Sequence, residues 1–139
     1  MINQSTILYT FHLDDVDWVD MKNTLQEDHF DNGRSPEQLR DSFENSYAAC
    51  VAYSDGRMIG TARVLSDGVC NAYLVDVWTL SAYRRRGIAR AMIKGLLDKL
   101  PGQHVYLFTD DAAEFYHKLG FSEQGTGMSL VVGDWLVNR

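Results

Sequence analysis

The sequence predicts a single α+β domain built around a mixed β-sheet. The chain has 139 residues, about the size of one domain. Segments with strand and helix periodicity follow in the order β-α-α-β-β-β-α-β-α-β, with one β-α-β crossover in the middle. Hydrophobic residues make up 45% of the chain, and there are only 11 Gly and 2 Pro, a composition typical of a packed globular protein. No repeat or linker interrupts the pattern, so residues 1–139 are expected to form one domain.

The first three elements are a strand and two helices. Residues 7–13 alternate between apolar and polar side chains and predict a strand. Asp14 and Asp15 are expected to cap a helix that continues to about Leu25. After a break, Ser35 is expected to cap a second helix, with Pro at the first helical position and Gln at the capping-box position.

An antiparallel meander of three strands follows. Residues 47–54 and 57–65 predict a hairpin around an Asp-Gly turn. A second turn leads into a long strand over residues 70–80.

The last part of the chain contains the crossover. Residues 87–100 have a helical period, and a Pro-Gly pair ends that helix. Residues 104–108 form a short apolar run typical of a central, parallel strand. Residues 110–119 predict a helix that ends at a glycine, and residues 128–132 predict a last strand.

The charge distribution is uneven. The net charge is −6, which argues against a protein that coats nucleic acid. Residues 1–50 carry ten acidic and three basic side chains, whereas residues 51–139 carry nine acidic and ten basic ones. The second part contains a dense cluster of arginines at positions 84, 85, 86 and 90. This cluster is either a solvated turn or an anion site.

Other functional classes have little support. The longest apolar run, residues 48–53, is too short to cross a bilayer, and residues 1–5 do not resemble a signal peptide. A cytoplasmic protein with no membrane partner is expected. Cys50 and Cys70 form no CxxC motif, lie in predicted strands and are expected to be buried and inert. The four histidines show no metal-ligand spacing, so no metal is expected.

The arginine cluster lies at a junction between a strand and a helix. Gly87 permits a tight backbone there, and the first turn of the following helix offers unpaired N–H groups at a positive helix end. Such a junction binds phosphate, and arginines add charge-assisted contacts. The chain has no GxxxxGK[ST] motif, so the junction indicates a pyrophosphate rather than a nucleoside triphosphate with magnesium.

Two motifs carry a resemblance to a known family. Arg84-x-x-Gly87-x-Ala89, after the strand VDVWTL, resembles the acetyl-CoA signature of the GNAT superfamily of N-acetyltransferases. The segment EFYHKLGF at residues 114–121 resembles the FYxKxGF helix end of the same family. The resemblance implies a single-domain GNAT fold, with a mixed, mostly antiparallel sheet of six or seven strands and about four helices. It also allows a homodimer.

The resemblance implies a donor site for acetyl-CoA. The backbone of Val77, Trp78 and Thr79 would bind the pantetheine arm, and Thr109 takes the place of an Asn that meets pantetheine in many relatives. The amides of the following turn would hold the pyrophosphate: Arg84, Arg85, Arg86, Gly87, Ile88 and Ala89. Arg85 and Ala89 depart from the family pattern, because glycine is frequent at both positions.

The resemblance also implies catalytic roles. Tyr116 would be the acid that protonates the leaving thiolate, although a core aromatic is the alternative. Asp76, a carboxylate in an apolar strand, is a candidate base for the amine. A water chain and Glu114 are competing bases, and Asp76 could instead orient Arg63.

The expected acceptor is a primary amine. The acidic first fifty residues favour a small cationic acceptor, and Trp18, Phe30 and Phe43 could bind an arylalkyl group or belong to the core. The acidic strand and residues 62–67 are similar to the arylalkylamine-type branch of plants and cyanobacteria. Alternatives are a protein lysine acetyltransferase and a non-catalytic acyl-CoA-binding module.

Overall fold

A five-stranded sheet with the strand order β1-β2-β3-β4-β5 organises the chain in a computed structural model that describes residues 6–136. The strands are β1 (Ile7–Thr10), β2 (Ala48–Ser54), β3 (Arg57–Ser66), β4 (Asn71–Thr79) and β5 (His104–Tyr106). The first four pair antiparallel, and β5 lies parallel to β4 across the crossover. The predicted α+β class and mixed sheet are therefore confirmed.

Four α-helices flank the sheet, as predicted. They are α1 (Trp18–Glu27), α2 (Pro36–Glu44), α3 (Ile88–Leu97) and α4 (Ala113–Lys118), with a 3₁₀ turn at Ser81–Tyr83. The capping box at Ser35 forms in both directions. The predicted cap of α1 is wrong, because Asp17, and not Asp14 or Asp15, accepts the N–H of Asp20 at 2.9 Å.

The predicted number of strands, six or seven, is too high for the part of the chain that the structure describes. Residues 128–132 have no regular structure there, and the side chains of Met128 and Leu130 are exposed. Strand propensity mostly reflects packing against neighbouring strands, and these exposed side chains make few packing contacts. The strand expected over residues 104–108 is also shorter and ends at Tyr106.

The helices cover opposite faces of the sheet. Gly60 of β3 approaches Met92 of α3 so closely that an added Cβ would lie 3.0 Å from the Met92 Cε. Arg63, three residues farther along β3 and therefore on the other face, contacts the Ser42 carbonyl of α2. The fully buried core joins both layers through Trp78, Met21, Leu39, Ile59, Met92, Ile93 and Leu96.

Strands β4 and β5 separate after a short stretch of pairing. The paired residues run only from Asn71 to Tyr73 on β4, although that strand continues to Thr79. A β-bulge lies farther along β4, where the register with β3 shifts and Asp76 adopts a left-handed φ of 54°. From residue 74 onward, the edge of β4 that faces β5 has no strand partner among residues 6–136. A gap therefore opens between the two strands.

No helix within the described residues is long and apolar enough to span a membrane. Residues 1–5, whose sequence does not resemble a signal peptide, lie outside the described part of the chain.

Candidate functional site

A tight turn connects the end of β4 to α3. Gly87 is the N-cap of α3 with a left-handed φ of 78°, and an added Cβ there would meet nothing within 4 Å. A glycine has no side chain with which to bind the first N–H groups of the helix, so these groups are left to a ligand or solvent. The predicted phosphate-binding residues, 84–89, come together in this turn.

The arginines of the turn have different surroundings. The Arg84 side chain folds back, so that its Nε donates to the Thr79 carbonyl at 3.1 Å and its Nη2 lies 3.6 Å from an oxygen of Asp28. The Arg86 guanidinium lies over the Tyr83 ring, 5.2 Å from its centre. All three side chains are exposed, but Arg84 contacts the end of β4 and Asp28 and so helps to hold the turn together.

Asp28, at the end of α1, binds this turn and was not identified from the sequence. Its carboxylate accepts hydrogen bonds from the Trp78 Nε1 at 2.8 Å and from the Ser81 hydroxyl at 2.6 Å and amide at 3.2 Å. Burial alone would raise the pKa of Asp28, but the bonds from Ser81 and Trp78 and the charge of Arg84 lower it below its ordinary value. An ionised Asp28 thus ties α1 to the start of this turn.

Asp76 forms a buried cluster with two arginines. Arg34, from the segment between α1 and α2, binds it in a bidentate manner, with both Nη–Oδ distances at 3.0 Å. The Nε of Arg63 on β3 donates to the carboxylate at 2.6 Å. Burial alone would raise the pKa of Asp76, but Arg34 and then Arg63 lower it overall. The base role of Asp76 stays a prediction, and the geometry also fits the alternative in which it orients Arg63.

Tyr116, the predicted acid, lies on α4. Its ring makes edge contacts with Phe115 and Phe121, at centroid distances of 5.0 and 5.8 Å. Burial raises the pKa of the Tyr116 hydroxyl above its ordinary value. The hydroxyl is therefore protonated at neutral pH, as an acid must be before it donates.

Three further expectations from the sequence concern the aromatic side chains of the N-terminal half, the two cysteines and metal binding. Phe43 belongs to the buried core and packs against the half-buried Trp18, with a centroid distance of 5.7 Å, whereas Phe30 is exposed. Burial raises the pKa of Cys50 to about 12, but Cys70 is exposed, contrary to expectation, because it precedes β4 in an open turn. Among residues 6–136, no group of three His, Cys, Asp or Glu side chains is arranged to hold a metal ion.

The comparison with protein families settles the class. The sequence profile described as "Acetyltransferase (GNAT) family" matches residues 13–121. The chain belongs to the acetyltransferase (GNAT) family.

Individual relatives share the fold and part of the sequence. The soybean (Glycine max) protein named histone acetyltransferase TAP1 is 36% identical over 76 residues, which cover 52% of this chain and 33% of that protein, so the chain matches about a third of that relative. A GNAT-family acetyltransferase structure from Streptococcus pneumoniae has a TM-score of 0.74 at 23% identity, covering 94% of this chain and 100% of the other. Glucosamine-6-phosphate N-acetyltransferase from Arabidopsis thaliana has a TM-score of 0.70 at 18% identity, with 91% and 100% covered.

Enzymes of the GNAT family generally use acetyl-CoA, and the residues present are compatible with this donor. From residue 74 onward, the backbone of β4 has no strand partner on the side of the gap among the described residues. The Thr79 hydroxyl oxygen on that strand is buried and has no hydrogen-bond partner among the described residues. The Thr109 hydroxyl accepts the Ala112 N–H at 3.0 Å, so this side chain also shapes the start of α4.

The left-handed backbone at Arg85 leads to a first prediction. Arg85 has a φ of 65°, a conformation that glycine adopts without the steric cost of a Cβ. We expect Arg85→Gly to raise the free energy of unfolding by about 0.5 to 1 kcal/mol, because relief of the backbone strain exceeds the extra chain entropy of glycine. Urea unfolding of both proteins measures this difference. Arg85→Ala removes the same charge but keeps the Cβ, so an equal gain in that variant would contradict the explanation.

The Asp76 cluster leads to a second prediction. Asn tolerates the left-handed backbone, so Asp76→Asn tests the charge and leaves both arginines without their counter-ion. We expect the free energy of unfolding at pH 7 to fall by about 3 to 5 kcal/mol. Because the pKa of Asp76 is lower in the folded than in the unfolded chain, its stabilisation is present above about pH 4 and is lost as the pH falls further.

The measurement is urea unfolding of both proteins at pH 7 and near pH 3. Asp41→Asn, which removes an exposed partner of Arg40, is the matched control and should cost less than about 1 kcal/mol. A difference between the parent and Asp76→Asn that is the same at both pH values would exclude the ionised cluster as its cause.

Proposed function

We propose that this protein is an N-acetyltransferase that moves the acetyl group of acetyl-CoA to a primary amine. The main support is the gap between β4 and β5, which leads at its open end to the arginine- and glycine-containing turn before α3. An open strand edge and an uncapped helix start suit the two halves of the donor, its amide-containing arm and its diphosphate. Residues 77–79 and 84–89 would hold these two halves.

The proposed chemistry is a direct attack. The amine nitrogen forms a bond to the thioester carbonyl carbon, the carbon–sulfur bond breaks, and the thiolate accepts a proton from the Tyr116 hydroxyl. The nitrogen loses a proton as the amide forms, and solvent returns that proton to the Tyr116 phenolate. That hydroxyl is protonated at neutral pH, because the ordinary pKa of tyrosine is about 10 and burial raises it further. The amine must first lose a proton, because alkylamines are protonated at pH 7.

We consider three candidates for the base that takes this proton. Asp76 is one candidate, but its two guanidinium partners lower its pKa, which weakens it as a base. Glu114, which is exposed on α4, is the second candidate. A chain of waters is the third. The lowered pKa of Asp76 favours the last two.

Two observations bear on the acceptor. The N-terminal fifty residues carry seven more acidic than basic side chains, and this excess attracts cations such as protonated amines. The similarity of residues 62–67 to the arylalkylamine branch supports an amine with an aromatic ring.

A protein lysine acetyltransferase is the second candidate function. Its support is the 36% identity, over 76 residues, to the relative named histone acetyltransferase TAP1. A lysine side chain and a free alkylamine present the same nucleophile, so only kinetics on peptides and on small amines separate the two. A non-catalytic acyl-CoA-binding module would bind the donor without turnover on either.

Titration with acetyl-CoA by calorimetry tests the donor site. We expect saturable binding by the parent and about tenfold or weaker affinity for Arg86→Glu, because the substitution places a like charge beside the diphosphate. Tyr116→Phe should bind normally but lose about a hundredfold or more in kcat with any accepted amine, measured by thiol release, because the acid is gone.

Arg40→Glu is the matched control, since it makes the same charge reversal at an exposed site on α2. It should bind the donor like the parent. A folded parent that does not bind acetyl-CoA at millimolar concentration would exclude the proposed function, and unchanged turnover by Tyr116→Phe would exclude its role as the acid.

A further inference from the structure

We propose that a group of exposed apolar side chains on one face of the sheet binds the aromatic ring of the acceptor, so that the preferred substrate is an arylalkylamine. This group, the aromatic platform, consists of Leu65, Tyr73, Tyr106 and Phe108. The proposal rests on the proposed function, because it assigns the acceptor side of the same site.

The strand register places three of the four platform residues in one row. Tyr73 of β4 lies opposite Leu65 of β3 and opposite Tyr106 of β5, and paired residues in neighbouring strands share a face. The pair of Tyr73 and Tyr106 is also the last one before β4 and β5 separate. The platform therefore borders the closed end of the gap in which the donor is proposed to bind.

The rings of the platform are held in place. Phe108 makes an edge contact with Tyr73 at a centroid distance of 6.0 Å and an interplanar angle of 72°. The backbone at Gly127 lies against the same Phe108 ring, since an added Cβ would overlap it. The Tyr106 hydroxyl is within 2.8 Å of the His104 Nδ1. These contacts form the surface before any ligand binds.

The platform is exposed, unlike the other end of the same sheet face. Thr61 and Trp78, which pair with each other farther along β3 and β4, are each 2% exposed. Tyr73 and Tyr106 are 36% and 38% exposed, and Phe108 is 68% exposed. The described part of the chain thus leaves an aromatic surface open next to the gap.

The chemistry of this surface favours an aryl ring over an alkyl chain. Aromatic rings attract one another in edge-to-face and offset arrangements, in addition to their burial of apolar area. Of the aromatic candidates named from the sequence, Phe43 is buried in the core and the half-buried Trp18 packs against it. The acidic N-terminal region would attract the ammonium group of the same substrate.

The test compares 2-phenylethylamine with 2-cyclohexylethylamine, which match in chain length and ring size but differ in aromaticity. We expect the parent to acetylate the phenyl compound with the higher kcat/KM. Phe108→Leu and Tyr73→Leu should each lower this preference by about two- to tenfold, because each removes one ring contact. Because Phe108 is mostly exposed, its substitution should leave the fold intact.

Phe11→Leu is the matched control, since Phe11 is 40% exposed and lies against Gly95 of α3. It should keep the parent's preference. Equal rates on both amines, or a preference that neither platform variant changes, would overturn the platform while acetylation itself still supports the proposed function. Acetylation of lysine peptides alone would also overturn it.

Two further outcomes separate the proposals. A parent that binds acetyl-CoA but acetylates neither amine would exclude the platform, and the peptide assay then decides the acceptor.

Light scattering of the parent and of Phe108→Leu tests whether a second copy of the chain covers this face. Dissociation of a parent dimer by that substitution would identify the face as an interface and overturn the proposal.

Discussion

The ion cluster of Asp76 with Arg34 and Arg63 is the interaction on which the candidate site depends most. It lies at the β-bulge of β4, where Asp76 has a left-handed backbone conformation that its two arginine partners help to hold. The three side chains are 9 to 13% exposed, so their attraction is little screened by water, but their desolvation is costly. Such a cluster adds little net stability, yet loss of one partner is expensive. The cluster therefore fixes the backbone geometry of β4 at its β-bulge.

A second contact fastens the segment between α1 and α2 to β4. Asp28 binds Trp78 and Ser81 at the end of β4, and Arg34 binds Asp76 farther back on the same strand. The intervening residues are thus fastened to β4 at both ends. The proposed donor site runs along β4, and the aromatic platform proposed for the acceptor includes Tyr73 of the same strand, so both molecules would be positioned relative to β4. Reactions between two bound molecules depend on such shared positioning.

The sequence alone predicts those parts of this arrangement that depend on residues close together in the chain. The capping box at Ser35, the hairpin turn at residues 55–56 and the glycine before α3 each follow from neighbouring residues. Arg34 and Asp28 could not be identified in this way, because their partners lie 42 and 50 residues away. The predicted strand over residues 128–132 failed for a related reason: its apolar residues satisfy a local pattern, but pairing is a property of the fold.

The arginine-rich turn divides structural and binding roles among adjacent residues of one type. Arg84 is committed to the Thr79 carbonyl and to Asp28, which fixes the exit from β4. Arg85 keeps its exposed charge in a backbone conformation that suits glycine, so charge at this position comes with a loss of backbone stability. A residue chosen only for folding would be glycine at that position. The anion-binding role proposed for this turn would account for an arginine at this position, beside an uncapped helix start.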